Sequence, residues 1–454
     1  MRTLAALVKC WAACSWAAVM AADSNYPPSI VADSPPLLLD HRCDDEAAGA
    51  GGACLWEVSL ADAVPGRPPL PASVPGDLIS DLQRAGAVGD PYFETNFLDN
   101  RSVWQPDFVY SRSVPASALP ATPRHVLVLE SVKMGAVVSI NGLAIGTTTD
   151  QFLRYEFDAT AALARLQQPE GSTAPPAAHR LSVRFDSAIA TDGRFSHGQR
   201  TVYLLHSPST LAGISTGGED ASTMTTCRRR LGRFMASTGG WDWAPWSHTW
   251  DGVGAPTFSK GIIGSVYLLG VHALSLQHLV VQTFYRGKVP TAPIRDGQHA
   301  GFNVSVRLHL AVAAQVQGSL TVRGSWSAAA VTTQAVTLAP AADGDNAVVS
   351  VSLVAAAEEI TLWWPVGVGT HQLYTVTAAF TPAGADRPSI ESNRSVGFRT
   401  ASWVTANDSD PAVVNAGGDG SASPTFTTFV RINGARIYAR GANMVPALLF
   451  CCWR

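Results

Sequence analysis

Between Leu55 and Thr400 the chain repeats one pattern: short runs rich in Val, Leu, Ile, Phe and Tyr alternate apolar with polar residues, and Gly, Pro, Asn or Asp cut each run short. A period of two places alternate side chains on opposite faces, which is the signature of a half-buried strand. LWEVSL at 55–60, DFVYSRSV at 107–114, RHVLVLESV at 124–132 and AVVSINGLAIG at 136–146 all carry it, and Asn141-Gly142 predicts a two-residue hairpin turn. YEFDATAAL at 155–163 and HRLSVRFDSA at 179–188 continue the series. One segment breaks the rule. In VPGDLISDLQRAG, Asp77 is placed to cap a short helix whose apolar stripe is Leu78, Ile79 and Leu82 and which Gly86 ends. Short strands at this spacing predict a sandwich or jelly roll, not alternating helices and strands.

A chain of 454 residues has room for about three domains. The first β domain is expected over 35–270. It closes with GIIGSVYLLG after an irregular stretch rich in Trp, Gly and Arg. A second is expected over 271–400, where LSLQHLVVQTF, FNVSVRLHLAVA, GSLTVRGSW, AVVSVSLVA, QLYTVTAAF and SVGFRT suit an immunoglobulin-like sandwich in number and length. A polar linker follows at 401–425. The last segment, 426–454, opens with a hairpin around Asn433-Gly434. Hydrophobic residues make up 46% of the chain and charged residues 15%, enough apolar material for real cores. With 32 basic against 35 acidic residues there is no basic field, which argues against nucleic acid as a partner.

Residues 1–22 carry Arg2, apolar runs on either side of Lys9 and small residues at Ala21 and Ala22 ahead of Asp23. This is the pattern of a secretory signal peptide, and no later run reaches the roughly 20 apolar residues of a membrane span. Asn100, Asn303, Asn393 and Asn407 each begin an Asn-X-Ser triplet, the N-glycosylation pattern. Cys43 and Cys54 lie close enough in sequence to close a small ring. The seven cysteines contain no Cys-X-X-Cys pair and no Cys/His ligand spacing, so neither a metal site nor another cofactor is expected.

The residues with most chemical content are Trp241, Asp242 and Trp243 in GGWDWAPW. On their own they fit two readings. Tryptophans usually fill cores, with a neighbouring acid satisfied locally. Two rings flanking a carboxylate also hold a sugar well, the rings covering its CH face and the acid accepting from a pair of hydroxyls.

Five segments together, in order, resemble the β-mannosidases of glycoside hydrolase family 2. They are VPGDLISDLQRAGAVGDPYFETNF, WQPDFVYSRSV from Trp104, GGWDWAPW, LWWPVGVGTHQLY and VGFRT followed by INGARIYARGANMVP. The resemblance implies a mainly β chain: a jelly-roll, galactose-binding-like domain, an immunoglobulin-like sandwich, then only the first strand of a (β/α)8 barrel. It also implies retaining hydrolysis of terminal β-linked mannose, with a β-mannoside oligosaccharide as partner and a secreted, lysosomal or vacuolar location. Asp242 then matches the acid that contacts the terminal mannose, with Trp241 and Trp243 beside it. Asn443 matches a position that either faces the pocket or braces the backbone. Trp363, Trp364 and Pro365 read as structural and Arg228–Arg230 as a solvated face.

Two departures matter. Ala244 stands where the family has Gly, and the sequence contains no Asn-Glu dipeptide, whereas the family's acid/base glutamate follows an Asn. Glu94, Glu130, Glu156, Glu358 and Glu391 fall in segments that read as accessory β domains. The catalytic glutamates are therefore expected to lie beyond the chain end, which leaves this polypeptide incompetent for hydrolysis on its own. A free-standing carbohydrate-binding protein and a cell-surface β-sandwich are the rival readings.

Overall fold

A computed structural model of the protein describes residues 28–41, 55–61, 68–90, 93–94, 96, 107–133, 135–165, 178–185, 260–341, 346–384, 389–404 and 429–441. They group into two compact units, one spanning 35–270 and the other 271–441 together with 29–34.

Among the described residues, the first unit has a six-stranded antiparallel sheet. Its order is Leu70–Ala72, Trp56–Leu60, Phe108–Pro115, Ala178–Phe185, Ala136–Ile140 and Leu143–Thr148. A four-stranded sheet runs in the order Tyr155–Asp158, Arg124–Leu129, Val266–Val271 and Leu37–Leu38. Val58, Tyr110, Val138 and Val183 from the first sheet share one core with Leu127, Leu129, Val266 and Leu268 from the second. This is the two-layer β architecture that the period-two runs predict. Asn141 and Gly142 both have positive φ (52° and 78°), as a two-residue hairpin requires.

The helix Leu78–Arg84 begins where expected. The Asp77 carboxylate accepts from the amides of Ile79 (3.0 Å) and Ser80 (3.3 Å), satisfying two donors that have no partner inside the helix. Leu78, Ile79 and Leu82 are buried in the shared core.

The second unit is a sandwich of two four-stranded sheets. One has the order Val31–Ala32, Leu274–Tyr285, Phe302–Val312, Ala347–Ala355; the other runs Val331–Leu338, Val316–Gly324, Tyr374–Pro382, Ile390–Val396. Val306, Leu308 and Val351 meet Leu320, Val322 and Phe380 between the layers. Phe398 gathers Phe302, Trp326 and Tyr374 around it at ring-centroid distances of 5.3, 5.2 and 5.4 Å.

Three segments differ from the sequence reading. YEFDATAAL is a strand only to Asp158, and Thr160–Ala164 turns into a short helix whose Ala162 and Leu163 are buried. Val331–Leu338 is an edge strand that the sequence analysis does not anticipate. Ala401–Val404, placed in the linker, is also a strand and pairs with Phe429–Ile432. Phe429–Ile432 in turn forms a hairpin with Ala435–Ile437 around Asn433 and Gly434, both at positive φ (51° and 77°). A Cβ at Gly434 would overlap the carbonyl of Ala292, so close approach as well as turn geometry calls for glycine there.

Two buried polar side chains hold the edges of this unit. Asn433 accepts from the Thr400 amide (2.9 Å) and donates to the Trp363 carbonyl (3.0 Å). Asp33 accepts from the amides of His272 (2.7 Å), Ala273 (2.7 Å) and Leu274 (3.3 Å), tying residues 29–34 to the start of the first long strand. Asp33→Ala would leave three amides without their acceptor. A loss of about 2–4 kcal/mol is expected, at roughly 1–3 kcal/mol for each buried donor and with water recovering part of it. Urea unfolding monitored by Trp fluorescence checks this, and an unchanged midpoint would show that the contact does not hold the edge.

Candidate functional site

Trp241, Asp242, Trp243 and Asn443 lie outside the described residues, as do Ala244, Arg228–Arg230, all seven cysteines, Asn100, Asn407 and residues 1–22. The structure does show the two ends from which the stretch carrying the Trp-Asp-Trp triplet departs and to which it returns. Both belong to the first unit.

The outgoing end is Phe185, the last residue of its strand. Its ring is fully buried and stands edge-on to Tyr110, 5.6 Å away at 74°. The returning end is Lys260, whose carbonyl accepts the amide of Leu78 at 2.8 Å, while the carbonyl of Ile262 accepts that of Gly76, also at 2.8 Å. Between them Gly261 runs against the helix cap. A Cβ on it would lie 2.5 Å from the Gly76 oxygen and 2.6 Å from Asp77 Cα, so only glycine lets the chain return this close. Phe108 is common to both ends. It is the register partner of Phe185, and the Lys260 ammonium lies 5.4 Å from its ring centroid.

Beneath this platform is a buried polar cluster. Asp81, with no exposed surface, accepts from the Ser73 amide (3.0 Å), the Arg84 guanidinium (2.7 Å) and the Tyr110 hydroxyl (2.8 Å). Asp77, four residues earlier, accepts from the Ser80 hydroxyl at 3.1 Å. Burial pushes the Asp81 carboxyl up to about 7, against the pull of the Ser73 amide and the Tyr110 hydroxyl. Burial, then the facing Asp81, raises Tyr110. Burial presses Lys260 down to about 7, opposed by the charge of Asp107. Sealed as it is, Asp81 has no face to offer a substrate. It ties the helix to the segment before it and to the strand Phe108–Pro115.

Asp81, Tyr110 and Lys260 are not among the residues that the sequence marks as candidates. A signal existed for the first: Asp81 falls three residues after Leu78, inside the apolar stripe, where an acid must find donors. The glutamates read as accessory are engaged in the framework or exposed. Glu130 accepts from the Tyr267 hydroxyl at 2.5 Å, Glu156 pairs with Arg154 at 3.0 Å, and Glu358 and Glu391 are exposed. In the second unit Trp363 donates to the Phe398 carbonyl (2.9 Å) and lies under the Arg399 guanidinium (4.6 Å), which is a packing role. Asn303 and Asn393 both sit on strands with exposed side chains. No group of three metal-ligating side chains occurs among the described residues.

Residues 56–254 match the family described as glycosyl hydrolase 2 galactose-binding domain-like. Beta-mannosidase A of Aspergillus terreus is 26% identical over 383 residues, covering 84% of this chain and 37% of that protein. Beta-mannosidase of Capra hircus is 26% identical over 390 residues, covering 83% and 36%. The crystal structure of a beta-D-mannosidase from Dictyoglomus thermophilum superposes with a TM-score of 0.61 at 19% identity, covering 92% of this chain and 41% of that one, and so shares its fold. The chain thus spans a little over a third of the length of the curated relatives it matches.

The ionisation of the cluster predicts how stability changes with pH. Asp81 has a folded pKa of about 7, above its ordinary 3.8, so the folded state binds this proton more tightly. Its contribution is fully present below about pH 4 and is lost as pH rises through 7. Lys260, lowered from 10.5 to about 7, acts in the opposite sense: its contribution is present above about 10.5 and is lost as pH falls through 7. Between pH 7 and 5, therefore, Asp81 makes the first unit more stable as the medium acidifies. Asp81→Asn is expected to flatten the rise in melting temperature between pH 7 and 5. A variant that keeps the wild-type slope would assign the dependence to other groups.

Proposed function

We propose, on the premise that residues 56–254 form a glycosyl hydrolase 2 galactose-binding-like domain, that this chain is the sugar-facing N-terminal portion of a glycoside hydrolase that removes terminal β-linked mannose. The observation that carries the reading is the Trp241-Asp242-Trp243 triplet. It lies in sequence between Phe185, whose ring stands edge-on to Tyr110, and Lys260, whose carbonyl accepts the Leu78 amide. The β-mannosidases to which the chain is similar support the choice of sugar.

In this reading Trp241 covers the CH face of the terminal mannose, Trp243 forms the second wall, and the Asp242 carboxylate accepts from neighbouring hydroxyls. Retaining hydrolysis needs an acid/base and a nucleophile, two carboxyl groups about 5–5.5 Å apart. This chain supplies the recognition wall and not that pair, since no glutamate in it follows an asparagine. The polypeptide binds a β-mannoside and does not cleave it. Residues 1–22 direct it into the secretory pathway. No helix among the described residues is long and apolar enough to cross a membrane.

Calorimetric titration with methyl β-mannoside is expected to show weak, millimolar-range binding, about −4 kcal/mol. Asp242→Ala should weaken it at least tenfold, because a sugar hydroxyl pair is then left without its charged acceptor, worth about 1.5–3 kcal/mol. No nitrophenol should be released from p-nitrophenyl β-mannoside by the purified chain. Release that survives purification from host enzyme would overturn the division between recognition and catalysis. Binding unchanged by Asp242→Ala would remove the triplet from the site.

A further inference from the structure

Phe284, Asn303 and Val354 are register partners on three neighbouring strands of the second unit, Asn303 opposite Phe284 on one side and opposite Val354 on the other. In the next row along, Tyr285, Phe302 and Ala355 are also register partners, and Phe302 and Ala355 are fully buried. The Asn303 row therefore faces outward, since side chains alternate between the faces of a sheet. Phe284 is 53% exposed and Val354 50% exposed, and Asn303 is exposed between them. Side chains directly opposite one another have Cβ atoms about 4.5–5.5 Å apart, well within reach of an aromatic ring.

Ser305, the hydroxyl residue of the Asn-X-Ser triplet, lies two positions along the same strand and so on the same face. The outward face thus combines an acceptor triplet with an apolar side chain on each side of the acceptor. Asn393 provides the contrast. It begins a triplet on the strand Ile390–Val396, and its register partner is Thr377.

We propose that Asn303 carries an N-linked glycan whose first N-acetylglucosamine lies across the Phe284 ring, with Val354 on its other flank. In the attachment step Asn303 Nδ2 bonds to the anomeric carbon of a lipid-diphosphate-linked oligosaccharide. The bond from that carbon to the diphosphate oxygen breaks, and Nδ2 loses one proton. The axial CH groups of the pyranose then cover an aromatic face otherwise open to water, while the hydroxyls and the rest of the glycan stay solvated. This makes the glycan a structural cover for the sheet and not only a solubilising appendage. The inference rests on the secretory reading above.

The test uses the full chain secreted from insect cells. Glycopeptide mass spectrometry reads occupancy at each triplet, and melting temperature is compared for Phe284→Ala in the native and Ser305→Ala backgrounds. Asn303 is expected to be occupied. Phe284→Ala should lower the melting temperature by about 2–4 °C more when the glycan is present than when it is absent, the shift that about 1 kcal/mol produces in a unit of this size. Trimming to a single N-acetylglucosamine should preserve the difference, and complete removal should abolish it. Ser395→Ala, which removes the Asn393 triplet, should leave the effect of Phe284→Ala unchanged. Occupancy at Asn393 with none at Asn303 would overturn this inference alone. Equal effects of Phe284→Ala in both backgrounds would overturn the packing on Phe284. Four empty triplets would overturn it together with the secretory reading.

Discussion

A carboxylate sealed from water must be met by donors or give up its charge, and the first unit is arranged around one such group. Asp81 collects an amide from the segment before the helix, a guanidinium from the next helical turn and a hydroxyl from the central sheet strand. Each donor comes from a different piece of backbone, so satisfying the acid fixes those pieces against one another. Tyr110 passes this constraint on: its ring meets Phe185, where one stem of the Trp-rich stretch leaves the sheet. The helix cap passes it to the other stem through Leu78 and Lys260.

The second unit uses the same device with different residues. Asp33 draws in three consecutive amides, and Asn433 spends both ends of its side chain on backbone groups far apart in sequence. In each case a buried polar group acts as a register pin. An apolar contact at the same place would tolerate sliding by a fraction of a residue, whereas a hydrogen bond weakens steeply with misalignment.

Strands that bury one face were easy to read from the sequence. AVVSI alternates apolar and polar residues and lies as its pattern demands, and Asn141-Gly142 makes the turn expected of it. Val331–Leu338 was missed because it is an edge strand with VTTQAV mostly open to solvent, so its outward residues carry little apolar signal. Ala401–Val404 was missed for another reason: it is a strand only by pairing with residues 25 or more positions later, and nothing local announces the partner. Thr160–Ala164 was misread because five residues rich in alanine suit a helix as well as a strand end, and burial of Ala162 and Leu163 settled it. The site divides in a similar way. The Trp-Asp-Trp triplet stands out by composition, while Asp81, Tyr110 and Lys260 look ordinary until burial removes their water.

Local patterning by itself determined the β class, the capped helix at Asp77 and the two Asn-Gly hairpins, because each follows from periodicity or from a residue's own backbone preference. Tertiary structure alone decided which acid is buried, which strand borders which, and that Phe284 and Val354 flank Asn303. Those properties belong to pairs of residues distant in the chain. Water is excluded, and proton affinities shift, only where two such surfaces close over a polar group.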